Sequence, residues 1–402
     1  MKNKILPCII GLGYVGLPIF LRLQKKFKTV GYDINSNRVY QLNSKIDETN
    51  TINKNFKLHN DSFFTNKSKY LSECNFFIIA VPTPIYLNNL PNLEYLNKAS
   101  TILGSYVKKD DIIFFESTVF PGVTKKYCVP ILEKKSKLKN NRDFYTGYSP
   151  ERINPGDKNH TIDKITKIVA FEKNSKKKII SRVYKCISSS LILTNNLEDA
   201  ETSKVIENIQ RDLNIALINE VYKVCYKLKI NFRNVIKLAK TKWNFLNFKP
   251  GLVGGHCLPV DPYYFSYLAK KNKIQTKVIL AGRHVNNSMT KFVINKIINY
   301  LNKIHIKRND NLLFMGLTYK ENVPDLRNSL AFKIFLNLKK RYPKSYGYDP
   351  LISNLKKDKI VSKVENIKKF KAIILLVNHD CFKKLLIKIK KNRKDNFYYI
   401  FQ

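Results

Sequence analysis

The sequence lacks several features that would each have narrowed its function. Its 7 cysteines stand singly along 402 residues, with no pair at the spacing of a metal site or a redox motif, so we expect no bound metal. No apolar run approaches the roughly 18 residues that a membrane-spanning helix needs, so no membrane association is expected. These absences together predict a reduced, soluble, cytoplasmic protein.

Acidic residues are also scarce, with 30 Asp and Glu against 73 Lys and Arg and a formal net charge of +43. Such a charge raises the question of a nucleic-acid partner. The lysines, however, are spread over nearly every segment and do not form the single patch or stripe of a nucleic-acid-binding face. We therefore expect no specific nucleic-acid partner and interpret the charge as background that attracts phosphate-bearing ligands.

The 402 residues, of which 44% are hydrophobic, exceed what one hydrophobic core usually organises and suggest two or three domains. Short apolar runs alternate with longer polar or helical stretches, a pattern typical of βαβ units around a parallel sheet. Cap residues and acids near residue 195 begin a helical pattern that continues to about residue 228. Buried strands are predicted at residues 5–10, 29–32, 75–81, 112–116, 311–316, 345–349 and 372–377.

These patterns predict an α/β fold class. Two Rossmann-like, doubly wound parallel-sheet domains are joined by a central helical region that contains one long helix. The predicted boundaries are 1–195, 196–300 and 301–402. No repeat of fixed short period is present, but the two end domains are candidates for a shared architecture.

The first chemical motif is the glycine sequence GLGYVG at residues 11–16, directly after the first predicted strand. Glycines here allow a tight turn and a close approach to a pyrophosphate, which the following helix N-terminus stabilises. Asp33 lies twenty residues after Gly13, at the end of the second strand, where a carboxylate can bind a ribose 2′-hydroxyl. The combination predicts a dinucleotide site and favours NAD over NADP, although Arg38 nearby weakens that preference.

A second motif, FKPGLVGGHCLPVDPYY at residues 248–264, contains a cysteine that we interpret as a nucleophile. Two adjacent glycines before Cys257 let a ligand approach the backbone, and the carboxylate of Asp261 follows four residues later. The other six cysteines fit small buried hydrophobes. His256 suggests a Cys-His hydrolase, but adjacent side chains in an extended segment point to opposite faces, which disfavours direct activation of the thiol.

Lys204 and Asn208 lie four residues apart on the predicted long helix and so share one face. An ammonium and an amide together could stabilise a developing oxyanion or hold a water. In a chain this rich in lysine they could equally belong to a solvated helix face. The pattern alone leaves both interpretations open.

Taken in order, these motifs resemble the nucleotide-sugar dehydrogenases, the family that contains UDP-glucose and GDP-mannose dehydrogenases. The segment GGHC followed by VDPYY, with no lysine before the aspartate, is similar to one branch: the bacterial UDP-N-acetyl-D-glucosamine and UDP-N-acetyl-D-galactosamine 6-dehydrogenases of surface-polysaccharide pathways. The resemblance covers nearly the whole chain. Its landmarks are GLGYVGLP at 11–18, VPTPI at 81–85, ESTVFPG at 116–122, YSPERINPGD at 148–157, KVIENIQRDLNIALINE at 204–220, KWNFLNFKPGLVGGHCLPVDPYY at 242–264 and GLTYKENVPDLRNS at 316–329.

The resemblance implies that the first domain binds NAD as cofactor, that the C-terminal domain binds a UDP-sugar substrate, and that a homodimer forms on the central helical domain. The implied NAD-site residues are Gly11, Gly13, Tyr14, Val15, Gly16, Asp33, Arg38, Thr83, Thr118 and, from the C-terminal domain, Arg327. The implied substrate-binding residues are Glu151, Lys204, Asn208, Asn247, Phe248, Pro250, Gly254 and Lys320. The implied catalytic residues are Cys257, Lys204, Asn208, Asp261, Glu151 and Thr118.

The implied reaction is an NAD-dependent, four-electron oxidation of the sugar C6 hydroxyl to a uronic acid. A water held by Lys204 and Asp261 is expected to accept the alcohol proton. Cys257 then attacks the aldehyde to give a thiohemiacetal and later a thioester, which Glu151 or Asp261 helps to hydrolyse. The chain departs from the family pattern at Lys249, where an arginine is expected, and at Leu258 and Pro259, which replace Ile-Gly.

Other functions remain open at this point. A hydroxy-acid dehydrogenase would share the glycine motif and a catalytic lysine but has no use for a nucleophilic cysteine. UDP-glucose or UDP-N-acetylmannosamine are alternative substrates, and epimers at carbon 4 differ only in one hydroxyl orientation, which the sequence does not distinguish. A non-catalytic, basic Rossmann-type protein that binds nucleotides or nucleic acid is the alternative from another class.

Overall fold

A computed structural model describes residues 4–49, 56–153, 159–352, 359–364, 366–392 and 396–401. The chain divides into two structural units. The first comprises Met1–Glu207 with Tyr263–Gln275, and the second comprises Asn208–Pro262 with Thr276–Gln402. The three-domain division at residues 195 and 300 stays a prediction.

The first unit is built on a single sheet. Its strands are β1 (Pro7–Ile10), β2 (Val30–Tyr32), β3 (Phe63–Thr65), β4 (Phe76–Ile79), β5 (Ile112–Phe115), β6 (Tyr145–Tyr148), β7 (Lys167–Phe171) and β8 (Leu191–Thr194). The 8-stranded sheet has the order β3-β2-β1-β4-β5-β6-β7-β8. Neighbouring strands run parallel except β6 and β7, which are antiparallel.

Both faces of this sheet are covered, as a parallel sheet requires. Cys8 and Ile10 of β1 belong to one buried cluster, whereas Ile9 between them belongs to another. Side chains on a strand point alternately to its two faces, so a continuous apolar run such as β1 is buried on both. This is why runs without polar alternation predicted buried strands correctly.

The described residues also form α-helices in both units. They are α1 (Gly16–Leu23), α2 (Ser36–Asn43), α3 (Glu94–Gly104), α4 (Val129–Ser136), α5 (Lys177–Ile187), α6 (Leu197–Lys227), α7 (Phe232–Ala239), α8 (Asp261–Lys271), α9 (Lys277–Lys303), α10 (Leu330–Arg341) and α11 (Lys383–Asn392). The predicted long helix is confirmed as α6, whose 31 residues begin directly after Asn196. The Asn196 side chain accepts the amides of Glu198 and Asp199, so it caps the first turn.

The second unit contains a smaller sheet that repeats the order of the first. Its strands are β9 (Leu312–Met315), β10 (Tyr346–Tyr348), β11 (Ile360–Val361), β12 (Ala372–Leu375) and β13 (Phe397–Tyr399). The order β11-β10-β9-β12-β13 is parallel throughout and matches the order β3-β2-β1-β4-β5 of the first sheet. The predicted fold class, with two Rossmann-like parallel sheets, is confirmed.

All the strands predicted from apolar runs are present, each one to three residues shorter than predicted. Some of the excess residues precede the strands, and others, such as Val81 and Glu116, begin the loops that follow them, where predicted functional residues lie. Within the described residues, no helix is long and apolar enough to span a membrane, and no group of three or more His, Cys, Asp and Glu side chains could hold a metal ion. The predicted cytoplasmic location stays a prediction.

Candidate active site

The loop from β1 to α1 carries the glycine motif, and glycine is needed at its positions for different reasons. A Cβ on Gly11, which has φ +95°, would lie 2.6 Å from the carbonyl oxygen of Ala80. A Cβ on Gly16 would lie 1.8 Å from the carbonyl oxygen of Gly11. A Cβ on Gly13 would meet no described atom within 4 Å. Packing therefore requires Gly11 and Gly16, whereas Gly13 leaves open space in which a ligand can approach the backbone.

Asp33 and Arg38 hold this loop from the end of β2. The Asp33 carboxylate accepts the amides of Leu12 and Asn35, both at 2.9 Å. Arg38 donates from Nε to the carbonyl of Leu12 at 2.9 Å and pairs with Asp47 at 2.8 Å. The ion pair with Asp47 balances the charge of the part-buried guanidinium and so weakens its attraction for a 2′-phosphate, although Nη1 has no hydrogen-bond partner among the described residues.

The remaining predicted cofactor residues of the first unit follow the carboxyl ends of neighbouring strands. Tyr14 and Val15 lie after β1, Thr83 after β4 and Thr118 after β5. In an open α/β sheet, ligands bind outside the carboxyl ends of the strands, where the strand order reverses, here between β1 and β4. In the first turn of α1, Leu17 donates its amide to the carbonyl of Gly13 and Pro18 has no N–H, so this helix N-terminus attracts a pyrophosphate mainly through the helix dipole. These residues fit NAD.

Glu151 lies beyond the end of β6 and is nearly buried. One carboxylate oxygen accepts the amides of Arg152 and Ile153, both at 2.6 Å. The other accepts a hydrogen bond from the ammonium of Lys167 at 3.0 Å, and Lys167 also pairs with Glu116. Neither Lys167 nor Glu116 was predicted as a site residue. The motif that contains Glu151 extends to residues 154–157, which lie outside the described residues.

The ionisation of this buried group follows from its surroundings. Burial is the main cause that raises the pKa of Glu116 to about 7, although Lys167 opposes the shift. Burial alone would lower the pKa of Lys167, but attraction to Glu116 and Glu151 outweighs it and leaves that pKa above its ordinary value. Lys167 therefore stays charged, and the cluster readily holds one proton near neutral pH.

Lys204 and Asn208 both lie in α6, as predicted. Lys204 is buried, at 8% exposure, and the described residues provide its ammonium with no ion pair. An ammonium buried in this way suits an anionic ligand or intermediate better than a solvated helix face. Within the second unit, the Asn208 amide donates to the carboxylate of Asp261, which is 1% exposed. The structure thus brings two predicted catalytic residues into direct contact.

The cysteine loop of the second unit presents an exposed thiol on a fixed backbone. Cys257 is exposed, and its carbonyl accepts the amides of Val260 and Asp261, both at 2.9 Å. These bonds attach the loop to the first residue of α8. A nucleophile needs both access to substrate and a defined position, and this loop provides both.

The two glycines before Cys257 are required by packing within the second unit. A Cβ on Gly254 would lie 2.6 Å from the carbonyl oxygen of Asn328, and one on Gly255 would lie 2.6 Å from the ring of Tyr319. Asn328 also donates from its amide to the carbonyl of Gly255 at 3.2 Å. The glycines therefore allow the loop to lie directly against residues 319–328.

His256 binds to the same segment. Its Nε2 lies 3.0 Å from the Asp325 carboxylate, which also accepts two hydrogen bonds from the Arg327 guanidinium. Although burial opposes ionisation, the bonds from His256 and Arg327 hold the pKa of Asp325 well below its usual range. The imidazole thus faces Asp325, in agreement with the expectation that His256 does not activate Cys257 directly. Arg327, predicted to reach NAD, is oriented by Asp325.

The other predicted substrate residues lie in loops of the second unit. Asn247, Phe248 and Pro250 precede Gly251, whose amide and carbonyl both bind the side chain of Asn219 on α6. Gly254 follows in the same loop, and Lys320 lies beyond β9, where its carbonyl accepts the Thr318 hydroxyl at 3.0 Å. The roles assigned to these residues stay predictions.

Sequence reasoning missed several residues that the structure places at these sites. Tyr264 donates its hydroxyl to the carbonyls of Thr83 and Pro84, and Asp325 joins His256 to Arg327. Lys167 and Glu116 surround Glu151. A signal existed for three of them, because Glu116, Tyr264 and Asp325 stand inside quoted motifs, whereas Lys167 is only a charged residue at the start of an apolar run.

The sheet order, the glycine loop and Asp33 define an NAD-binding Rossmann-type dehydrogenase. Comparison with known protein families agrees and is more specific. Residues 5–188 match the NAD binding domain of the UDP-glucose/GDP-mannose dehydrogenase family, residues 198–288 its central domain and residues 313–399 its UDP binding domain. The chain belongs to this family, so it is an NAD-dependent UDP-sugar dehydrogenase. The predicted cofactor and enzyme class are confirmed.

Individual relatives support the same assignment. The chain is 43% identical to a UDP-N-acetyl-D-glucosamine 6-dehydrogenase of Pseudomonas aeruginosa, over 86% of this chain and 82% of the relative. It is 44% identical to protein CapL of Staphylococcus aureus, over 87% of this chain and 82% of that protein. Among solved structures, a UDP-D-ManNAc dehydrogenase of Pyrococcus horikoshii aligns with a TM-score of 0.84 at 27% identity, covering 98% of this chain and 94% of the other.

Proposed function

We propose that the protein oxidises the C6 hydroxyl of a UDP-N-acetylhexosamine to the carboxylate, for surface-polysaccharide synthesis, with Cys257 as covalent nucleophile. The observation that carries the proposal is the exposed Cys257 thiol on a loop bound to the start of α8, next to the contact between Asn208 and Asp261. A dehydrogenase that stopped at the aldehyde would not need such a cysteine.

In the first half of the reaction the alcohol must lose a proton. We propose that a water bound by Lys204 and Asp261 accepts it. The glycine loop and Asp33 would hold NAD, which would supply the hydride acceptor for each half-reaction. The buried ammonium of Lys204 then stabilises negative charge on the substrate oxygen more strongly than it would in water.

In the second half Cys257 attacks the aldehyde as a thiolate, and the alkoxide of the thiohemiacetal is stabilised by Lys204 and Asn208. Its oxidation gives a thioester, which water hydrolyses with Glu151 or Asp261 as base. Overall, the alcohol, one water and two NAD give the carboxylate, two NADH and three protons. The covalent bond to Cys257 retains the aldehyde between the two oxidations.

The choice of substrate rests on the GGHC and VDPYY segments and on similarity to named relatives. The Pseudomonas relative acts on UDP-N-acetyl-D-glucosamine, and the Pyrococcus structure is a UDP-D-ManNAc dehydrogenase. We propose UDP-N-acetylglucosamine or its C4 epimer UDP-N-acetylgalactosamine, with UDP-N-acetylmannosamine and UDP-glucose as alternatives. The experiment below ranks all four sugars.

The test counts the NADH released per sugar consumed for each of the four UDP-sugars. We expect two NADH per N-acetylhexosamine from the wild type and loss of turnover in Cys257→Ser. Cys381→Ser is the matched control, because Cys381 is the other exposed cysteine of the chain. One NADH per sugar would mean that oxidation stops at the aldehyde and would refute the proposed oxidation to the carboxylate, as would no NADH with any of the sugars.

We further propose a homodimer formed through the helical part of the second unit. Leu217 of α6, Leu238 of α7 and Trp243 are 59%, 70% and 91% exposed, and large apolar side chains at this exposure commonly mark protein interfaces. Light scattering of the purified protein should give twice the monomer mass, and Trp243→Glu should reduce it. A monomer at all concentrations would contradict the proposal.

A further inference from the structure

The first unit contains a buried lysine that pairs with two glutamates, and the packing of the unit does not by itself call for such a charged cluster. The side chains of Lys167, Glu116 and Glu151 are 4%, 0% and 9% exposed. Removing three charged groups from water is costly, and apolar side chains of similar volume often stabilise a fold as well or better. Stability alone is therefore a weak reason for this cluster.

The sheet topology explains how Lys167 reaches this position. The antiparallel pairing of β6 and β7 sets Gly147 opposite Phe171, and the same register continued sets Glu151 opposite Lys167. Lys167 is the first residue of β7, so only the antiparallel step brings it to the edge at which β1, β4, β5 and β6 end. Glu116 directly follows β5 at that edge. The antiparallel pairing of β6 with β7 thus places the Lys167 ammonium beside Glu151, a predicted site residue.

The contacts of Glu151 fix the orientation of its carboxylate. One oxygen is held by the amides of Arg152 and Ile153, and the other is held by Lys167. The guanidinium of Arg152 is bound to Glu207 at 2.7 Å and does not neutralise Glu151. Three donors therefore hold this carboxylate in one position and orientation, as a general base requires.

The other titratable groups of the cluster come from two further elements. Glu116 pairs with the same Lys167 ammonium that bonds to Glu151, and Tyr184 of α5 is buried beside Glu116. Glu116 opposes a second negative charge, whereas Lys167 favours it. Removing Lys167 would therefore leave Glu151 beside Glu116 without the ammonium that bonds to both.

We propose that Lys167 is a positioning residue that holds Glu151 as the ionised base for hydrolysis of the Cys257 thioester, which rests on the proposed function. Glu151 takes a proton from water while the water oxygen bonds to the thioester carbonyl carbon. The C–S bond then breaks, and its electron pair leaves with Cys257 as thiolate. The product carboxylic acid and Glu151 finally release their protons to solvent.

The experiment compares the wild type with Lys167→Met, Lys167→Arg and Lys125→Met. Lys125 is the matched control because it pairs with Glu172 on the surface of the same unit, 55% exposed. Each enzyme is mixed with NAD and with the UDP-sugar that gives two NADH in the wild type. Samples are then quenched in acid across a range of pH, and the fraction carrying the thioester is measured by intact mass.

In Lys167→Met we expect thioester hydrolysis at neutral pH to slow by at least about tenfold and the thioester to accumulate. The acid limb of the hydrolysis rate should move up by about one pH unit or more, because Glu151 then faces Glu116 without the ammonium. Lys167→Arg should restore most of the rate. The double variant Lys167→Met with Glu116→Gln also removes the repulsion between Glu116 and Glu151. The acid limb of its hydrolysis rate should therefore return toward the wild-type position.

A Lys167→Met enzyme with the hydrolysis profile of the wild type would overturn the assignment of Lys167. Slowing by the same factor at every pH, with no recovery in Lys167→Arg or the double variant, would also overturn it, because it would indicate only a structural role. Fewer than two NADH from the wild type would instead refute the proposed function and this proposal with it.

Discussion

His256 should act as a tether of the cysteine loop and not as a base for Cys257. The change His256→Leu keeps most of the side-chain volume and removes the 3.0 Å contact with the carboxylate of Asp325. Asp325 keeps its bonds to Arg327, so no buried charge is left without a partner. The variant should fold and lose only the attachment of the loop.

The size of the effect follows from the exposure of the two partners. Hydrogen bonds to charged groups contribute about 1.5 to 3 kcal/mol, and the imidazole is 37% exposed while the Asp325 carboxylate is 5% exposed. Partial exposure of His256 moves the value toward the lower end, about 1 to 2 kcal/mol, which corresponds to roughly a 5- to 30-fold change in an equilibrium. We therefore expect kcat of His256→Leu to decrease by roughly 5- to 30-fold.

Two measurements separate a tether from a base. Steady-state kcat is measured for wild type, His256→Leu, Asp325→Asn and the double variant, and the rate of Cys257 alkylation by iodoacetamide is measured against pH. A tether predicts that the double variant loses less than the sum of the single losses and that the pH midpoint of alkylation does not move. A shifted midpoint in His256→Leu, or an unchanged kcat, would refute this reasoning. His59→Leu is the control, because the contact of His59 is made by its backbone amide.

Three further predictions concern stability and cofactor binding. Burial raises the pKa of Glu116 to about 7 in the folded protein, so its contribution to stability is complete below its ordinary pKa and is lost as pH rises to about 7. In Glu116→Gln the free energy of unfolding, measured with urea, should lose this pH dependence, which amounts to on the order of 3 kcal/mol. An unaltered pH dependence would contradict the prediction. Arg283→Met breaks a buried ion pair with Asp212 and should lower the free energy of unfolding by about 3 to 5 kcal/mol. Lys126→Met breaks an exposed ion pair and should lower it by less than about 1 kcal/mol. Equal losses in the two variants would contradict the argument from burial. Gly16→Ala would place a Cβ 1.8 Å from a loop carbonyl oxygen and should abolish NAD binding in a fluorescence titration, so wild-type affinity would show that the loop can adjust.

Much of the fold could be predicted because its signals are local. Apolar runs such as β1, β4 and β5 are buried on both faces and are therefore apolar without interruption. Shorter or more polar strands were not predicted, including β3, β6 and β8. Their partly exposed or polar residues, as in β8 with Ile192 at 55% exposure, resemble loop segments until a neighbouring strand pairs with them.

The residues of the candidate active site could be predicted where they lie in contiguous sequence motifs. The glycine loop, Asp33, Cys257 and Asp261 follow from the chemistry that each segment can perform. Lys204 and Asn208 were ambiguous, because a lysine on a helix face has the same pattern whether it is solvated or buried. Only burial of Lys204 at 8% exposure favours a functional ammonium.

The sequence by itself determined the two parallel sheets and the dinucleotide loop and pointed to the proposed nucleophile, since each depends on residues close together in the chain. Tertiary structure alone decided which charges surround those residues. Lys167 meets Glu151 because β7 runs antiparallel to β6, and His256 meets Asp325 across 69 positions of the chain. Such contacts are set by strand register and loop packing, and these depend on the whole unit because a one-residue slip would turn every side chain to the other face.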